Sequence, residues 1–155
     1  MRIRSAGADD IADLTRLNLE VHAIHLAAMP DVYRPASAAE LDEWFRGRLA
    51  DAQTVVLIAD QDGVAVGYVI VRRLEWAGHV FALPRKMAEV DQLGVTASAR
   101  RRGVGRALMA AAEEQARSWG VPTLVLSVVG FNDDALRFYR ALGYDTMLTR
   151  LARLL

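Results

Sequence analysis

From Asp9 to Pro30 the apolar residues Ile11, Leu14, Leu17, Val21, Ile24 and Ala28 recur every three or four positions, which predicts an amphipathic helix. Ile3 lies just ahead of it in a short strand. Ser37-Ala38-Ala39-Glu40 has the spacing of a capping box, in which hydroxyl and carboxylate each satisfy a free N–H of the first turn. Leu41, Trp44, Phe45 and Leu49 then supply the apolar stripe of a second helix. Two β-branched runs, 54–59 and 64–74, read as strands, which Asp60-Gln61-Asp62-Gly63 joins as an antiparallel hairpin with positive φ at the glycine. Residues 87–95 read as another strand, with a bulge expected at Gly94. A helix with an alanine-rich face starts at Val104 and closes at Gly120 and Pro122. Residues 124–129 form a continuous apolar run that fits a strand covered on both faces. Asn132, Asp133 and Asp134 open a last helix ending at Gly143, and 144–150 reads as a final strand. Antiparallel strands followed by strand–helix alternation predict an α/β fold: a mixed, mostly antiparallel sheet with helices on both faces.

The chain has 155 residues without repeat or linker, so 1–155 is expected to be one domain, long enough to bury ~70% of its unfolded surface. Nineteen basic and nineteen acidic residues cancel, leaving no general attraction for nucleic acid or an anionic membrane. Cysteine is absent, which excludes disulfides, thiolate metal sites and any mechanism that parks an acyl group on a thiol. Met1-Arg2-Ile3-Arg4 runs into polar residues and not the ~7–15-residue apolar stretch of a secretory signal, so a cytoplasmic location is expected. His22 and His25 are spaced to share a metal, but His79 is the one other histidine and no metal site is expected.

One local charge cluster breaks the balance. Arg100, Arg101, Arg102 and Arg106 surround Gly103, Val104 and Gly105, where a strand end turns into a helix. A helix N-terminus offers unpaired N–H groups and partial positive charge, and glycines let an anion approach the backbone, so this turn is a candidate phosphate site. It is no Walker-type loop, because Lys86 is the sole lysine and lies elsewhere. It is no dinucleotide fingerprint either, because Leu108 stands where a small third residue belongs and no strand–turn–helix unit opens the chain.

Arg100-x-x-Gly103-x-Gly105, following Leu93-x-Val95, resembles the acetyl-CoA signature of the GNAT superfamily of N-acetyltransferases. Asn132-x-x-Ala135-x-x-x-Tyr139, continuing into Leu142-Gly143-Tyr144, is similar to that family's downstream motif. Arg101 departs from the pattern by standing where glycine is frequent.

The resemblance implies acetyl-CoA as cosubstrate, transfer of its acetyl group to a primary amine of a small molecule or peptide, and no metal. Leu93, Gly94 and Val95 are then expected to meet the pantetheine arm through their backbones. Arg100 to Arg106 and Asn132 make up the rest of the cofactor site. Without a cysteine the amine is expected to attack the thioester directly, in a ternary complex. Tyr139 is the expected proton donor to the departing thiolate. The base stays open among Glu89, Asp91 and a water relay, with Glu89 aligned to the catalytic glutamate of the histone-acetylating branch. His22, His25, Asp31, Tyr33 and Arg34 are candidates for the acceptor wall. Ser127 replaces the glutamate of the ribosomal-protein-acetylating branch, which counts against that branch. Leu151, Leu154 and Leu155 leave an apolar terminus suited to an edge or to a homodimer. The competing function is a non-catalytic sensor of acetyl-CoA or CoA.

Overall fold

The computed structural model describes residues 1–153. Five strands form one sheet in sequence order: β1 (Arg2–Ser5), β2 (Thr54–Gln61), β3 (Val64–Trp76), β4 (Arg85–Val95) and β5 (Leu124–Leu126). The first three interfaces are antiparallel and β4–β5 is parallel. The helices are α1 (Ile11–Ala28), α2 (Ala38–Ala50), α3 (Val104–Ser118) and α4 (Asp133–Ala141). A 3-10 turn at Ala8–Asp10 precedes α1, so the helix starts two residues later than its periodicity suggests. Asp10 ties that turn down by accepting from the Gly7 N–H at 2.8 Å and pairing with Arg4 at 2.6 Å.

Alternation along the strands divides the core into two layers. Val56, Ile58, Tyr68 and Ile70 pack against Leu14 and Leu17 of α1 and Phe45 of α2. Leu57, Ala59, Val69, Val71, Ala88 and Val90 face the other way, onto Val104, Leu108, Met109, Ala112 and Ala116 of α3. Ser37 and Glu40 form the capping box expected at the start of α2. The β2–β3 hairpin turns on Asp62 and Gly63 with φ of 55° and 83°, a two-residue turn whose twist matches its strands.

The bulge in β4 is not at Gly94. The register slips between Val71↔Val90 and Ile70↔Gln92, so Asp91 is the surplus residue. Gly94 is required for space: a Cβ there would lie 2.6 Å from the buried Tyr68 ring and 3.0 Å from Val21. Strand β5 is also shorter than expected, stopping at Leu126, and its residues are only half-buried. Residues 145–153 form no strand and are exposed, Leu151 among them, because β5 is too short to pair with the segment. Leu154 and Leu155 lie outside the described residues.

Candidate functional site

The site begins where β4 and β5 part. Their pairing runs Ala88↔Leu124, Glu89↔Val125, Val90↔Leu126 and stops at the Asp91 bulge. Beyond it, the Thr96 N–H donates to the Val66 carbonyl on β3 at 2.9 Å. By alternation Gly94 also turns its main chain to β3, whereas Leu93 and Val95 turn theirs to the side that β5 has left. The Val95 carbonyl accepts from Arg100 Nε at 3.1 Å. The Leu93 N–H, the Leu93 carbonyl and the Val95 N–H therefore face a cleft with no strand opposite.

The cleft leads to the basic turn. After the 3-10 turn Ala97–Ala99, Arg101 and Gly103 both take left-handed conformations, φ 59° and 84°. That accounts for the frequent glycine at the position of Arg101, since a side chain there costs ~1–2 kcal/mol. Gly103 is the N-cap of α3 and carries no capping side chain, so the N–H groups of Val104, Gly105 and Arg106 are free for a ligand. Val104 itself is buried, while Arg100, Arg101, Arg102 and Arg106 are exposed. Glu20 of α1 anchors the approach by accepting from Thr96 Oγ1 at 2.8 Å. At Gly105 a Cβ would sit 3.2 Å from the Phe138 ring, so this glycine lets α4 close on the start of α3.

Asn132 caps α4, its Oδ1 accepting from the Ala135 N–H at 3.0 Å. One residue beyond Phe138, Tyr139 packs between that ring, 5.1 Å away, and the ring of Tyr144, 6.0 Å away. Burial pushes its pKa up to about 12, so the hydroxyl is protonated at neutral pH. Tyr144 instead donates to Glu113 at 3.1 Å.

On the opposite face of β4, Glu89 lies 3.8 Å from Arg72 and Asp91 3.5 Å from Arg48. Both expected bases point to the α1–α2 side, and both already have a cationic partner. The bulge sends Gln92 to this side too, where its Oε1 accepts from Asn18 Nδ2 and from the Tyr68 hydroxyl, each at 2.8 Å. Asn18 Nδ2 also donates to the Tyr68 oxygen at 2.9 Å, closing a triangle. Over it lies a pocket of about 220 Å³, lined by Asn18, His22, Arg34, Leu41, Trp44 and Gln92 among others.

Two of the expected acceptor-wall residues, His22 and Arg34, are therefore in the pocket. Tyr33 and His25 stack beside it, His25 also reaching Phe131 of the β5–α4 loop at 5.5 Å, while Asp31 is exposed outside it. Asn18, Trp44 and Gln92 were not expected in a site. Asn18 left a trace in the sequence, being polar within the stripe of Leu14, Leu17 and Val21. A larger hollow of about 410 Å³ lies in the 77–84 loop, but only that loop lines it, with His79 its one titratable side chain. Among the described residues no three His, Cys, Asp or Glu side chains cluster as metal ligands, and no helix is long and apolar enough to cross a membrane.

The profile of the Acetyltransferase (GNAT) family matches residues 18–144. The mycothiol acetyltransferase of Saccharomonospora viridis is 31% identical over 72% of this chain, and that of Propionibacterium freudenreichii 29% identical over 91%. The chain spans only 34% and 42% of the length of those two relatives. The N-acetyltransferase YhfO of Bacillus subtilis, 27% identical, is matched over 94% of this chain and 90% of its own. Among solved structures, a tetramutant of the BH1408 protein of Bacillus halodurans has the same fold, with a TM-score of 0.94 over 100% of both chains at 24% identity. With the parted strands, the basic turn and the capped α4 all falling inside the matched segment, the chain belongs to the GNAT family of acetyltransferases.

Proposed function

We propose that residues 1–155 are one N-acetyltransferase domain that moves the acetyl group of acetyl-CoA directly onto a primary amine of a small molecule or peptide, in a ternary complex. One observation carries this reading. The outward-facing main chain of Leu93 and Val95 joins two sites, the basic turn on one side and the amide-lined pocket on the other.

The residues present fit acetyl-CoA. The N–H groups of Val104, Gly105 and Arg106 hold the pyrophosphate, helped by the Arg101, Arg102 and Arg106 side chains, and the missing Cβ at Gly103 keeps the approach open. Leu93 and Val95 hold the pantetheine arm, with Arg100 fixing the end of the strand through the Val95 carbonyl. Gly94, turned to β3, contributes room for Tyr68 instead of a hydrogen bond. Asn132 serves the site by fixing the helix that carries Tyr139. When bound, acetyl-CoA supplies an activated thioester.

An alkylamine is protonated at neutral pH, with a pKa near ~10, and must lose that proton before it attacks. Glu89 or Asp91 receives it, directly or through water, from the face that carries the acceptor pocket. The Leu93 N–H is the donor best placed to meet negative charge gathering on the carbonyl oxygen. Tyr139 donates to the departing sulfur and takes back, through water, the second hydrogen that the nitrogen sheds as the amide forms. A phenol held at about 12 is a weaker acid than a thiol of pKa ~8.5, so the transfer must accompany C–S cleavage, the hydrogen bond strengthening as charge builds.

The test is release of free thiol from acetyl-CoA with a panel of amines, beside titrations of acetyl-CoA, CoA and ATP. Release with at least one amine and selective binding of the CoA compounds are expected. Binding of acetyl-CoA without release by any amine replaces transfer with sensing, and equal binding of ATP removes both.

A further inference from the structure

We infer that the acceptor is a small hydroxylated amine, an amino sugar or amino alcohol, whose hydroxyls are read by Asn18 and Gln92; this rests on the transfer reading of the site. The argument is an inventory of which polar groups around the pocket remain free. Asn18 Nδ2 spends both hydrogens, on Tyr68 and on Gln92, and Tyr68 spends its only hydrogen on Gln92. Asn18 Oδ1 and Gln92 Nε2 are left, one acceptor and one donor side by side. Exchanging O and N on both amides keeps the triangle closed and again leaves one donor and one acceptor. Neither free atom is among the buried atoms without a partner, which among the described residues are Arg73 Nε and Asp91 Oδ2, so each keeps some contact with solvent, and both residues line the pocket. A hydroxyl, donor and acceptor at once, matches that pair.

Charge in the wall is already committed. Glu40 gives one oxygen to Arg34 at 2.9 Å and the other to the Ser37 N–H and hydroxyl, which together hold its carboxyl down at about 2. Arg34 is neutralised by that contact and also donates to the Pro35 carbonyl. Arg34 and Glu40 are the two oppositely charged side chains in the lining, so a second ammonium, as in a polyamine, or an acidic group on the acceptor must compete with a pair already made. His22 Nε2 lies 2.6 Å from the Arg34 carbonyl, which only accepts, so Nε2 carries a hydrogen and that contact is taken. Ala36, Leu41 and Trp44 supply apolar surface for the carbon skeleton. The volume of about 220 Å³ is below the ~300–1,000 Å³ of drug-sized sites and gives room for roughly one ring against these walls.

The experiment compares 2-aminocyclohexanol, glucosamine, cyclohexylamine and putrescine as acceptors, by thiol release and, with CoA present, by saturation-transfer NMR. In the wild type the hydroxylated amines should exceed cyclohexylamine and putrescine by at least ~10-fold in kcat/KM, since a pocket polar pair left unmatched penalises the analogue without its partner. In Gln92→Leu that ratio should fall towards one whatever happens to the absolute rate. Gln92→Glu, close to isosteric should the first variant not fold, should move the preference towards putrescine. Equal use of cyclohexylamine in the wild type, or a ratio unmoved by either foldable variant, overturns the proposal. The two readings fail differently. No thiol release with any amine removes the transfer reading, and NMR then decides the pocket: selective contact with the hydroxylated amines upholds the recognition, and none overturns it.

Discussion

The two faces of β4 recognise by different means. On the α3 side a ligand meets main-chain groups, the outward edge at Leu93 and Val95 and the free N–H groups after Gly103, with exposed arginines around them. On the α1–α2 side it meets side chains, Asn18, His22 and Gln92, brought from distant parts of the chain. A main-chain site needs glycines and a helix start at fixed spacing, which constrains sequence locally. A side-chain site needs only that several elements meet, which constrains it hardly at all. The first kind suits a cosubstrate common to a whole family, the second an acceptor that differs between members.

The largest expected effect is at Tyr139, which belongs to neither kind of recognition. Tyr139→Phe should leave acetyl-CoA affinity in place while kcat falls ~10²- to 10⁴-fold, measured by calorimetry beside steady-state kinetics. Unchanged kcat removes the residue from the mechanism. Ionisation adds a stability effect. An unfolded tyrosine gives up its proton near ~10 while Tyr139 holds it to about 12, so its contribution is complete below the first value and is lost as pH rises through the second.

Two glycines on the α3 side, one packing and one capping, should fail differently. Gly67→Ala places a Cβ 2.8 Å from the Gly94 carbonyl and should cost ~1–3 kcal/mol, seen as a lower melting temperature. Gly103→Ala meets no neighbour but must hold φ at 84°, which should cost ~1 kcal/mol, and here acetyl-CoA affinity should suffer as well. Equal losses of affinity in the two variants would blur the distinction between packing and main-chain recognition.

Smaller effects sharpen the comparison. Glu89→Gln should slow turnover more at low pH, where the amine is hardest to deprotonate, and a flat ratio across pH leaves the carboxylate a partner of Arg72 only. Arg101→Gly should relieve a left-handed arginine and stabilise the fold by up to ~1 kcal/mol. Its acetyl-CoA affinity should drop only a few-fold, the loss shrinking with added salt, if the main chain bears most of the grip. A loss that high salt leaves untouched would give the arginine side chain a larger share.

The same contrast explains what could be read from the residues alone. The helices and the hairpin were legible because period, capping box and Asp62-Gly63 turn are local properties. The basic turn was legible because its chemistry is contiguous. Gly94 misled because a strand glycine signals either a bulge or a close approach, and only the Tyr68 ring, distant in sequence, decides between them. The last strand failed because 144–150 has strand-like content, but a strand exists only where a neighbour pairs with it, and β5 ends after three residues. Gln92 was invisible because its role depends on Asn18 and Tyr68.

The parting of β4 from β5 leaves a row of main-chain donors and acceptors uncovered between the last two strands of the sheet, the kind of surface that proteins usually guard against self-association. On the proposed reading the guard is acetyl-CoA. Its occupancy would then set how long that edge stays open to another polypeptide, linking solubility to the supply of the cosubstrate.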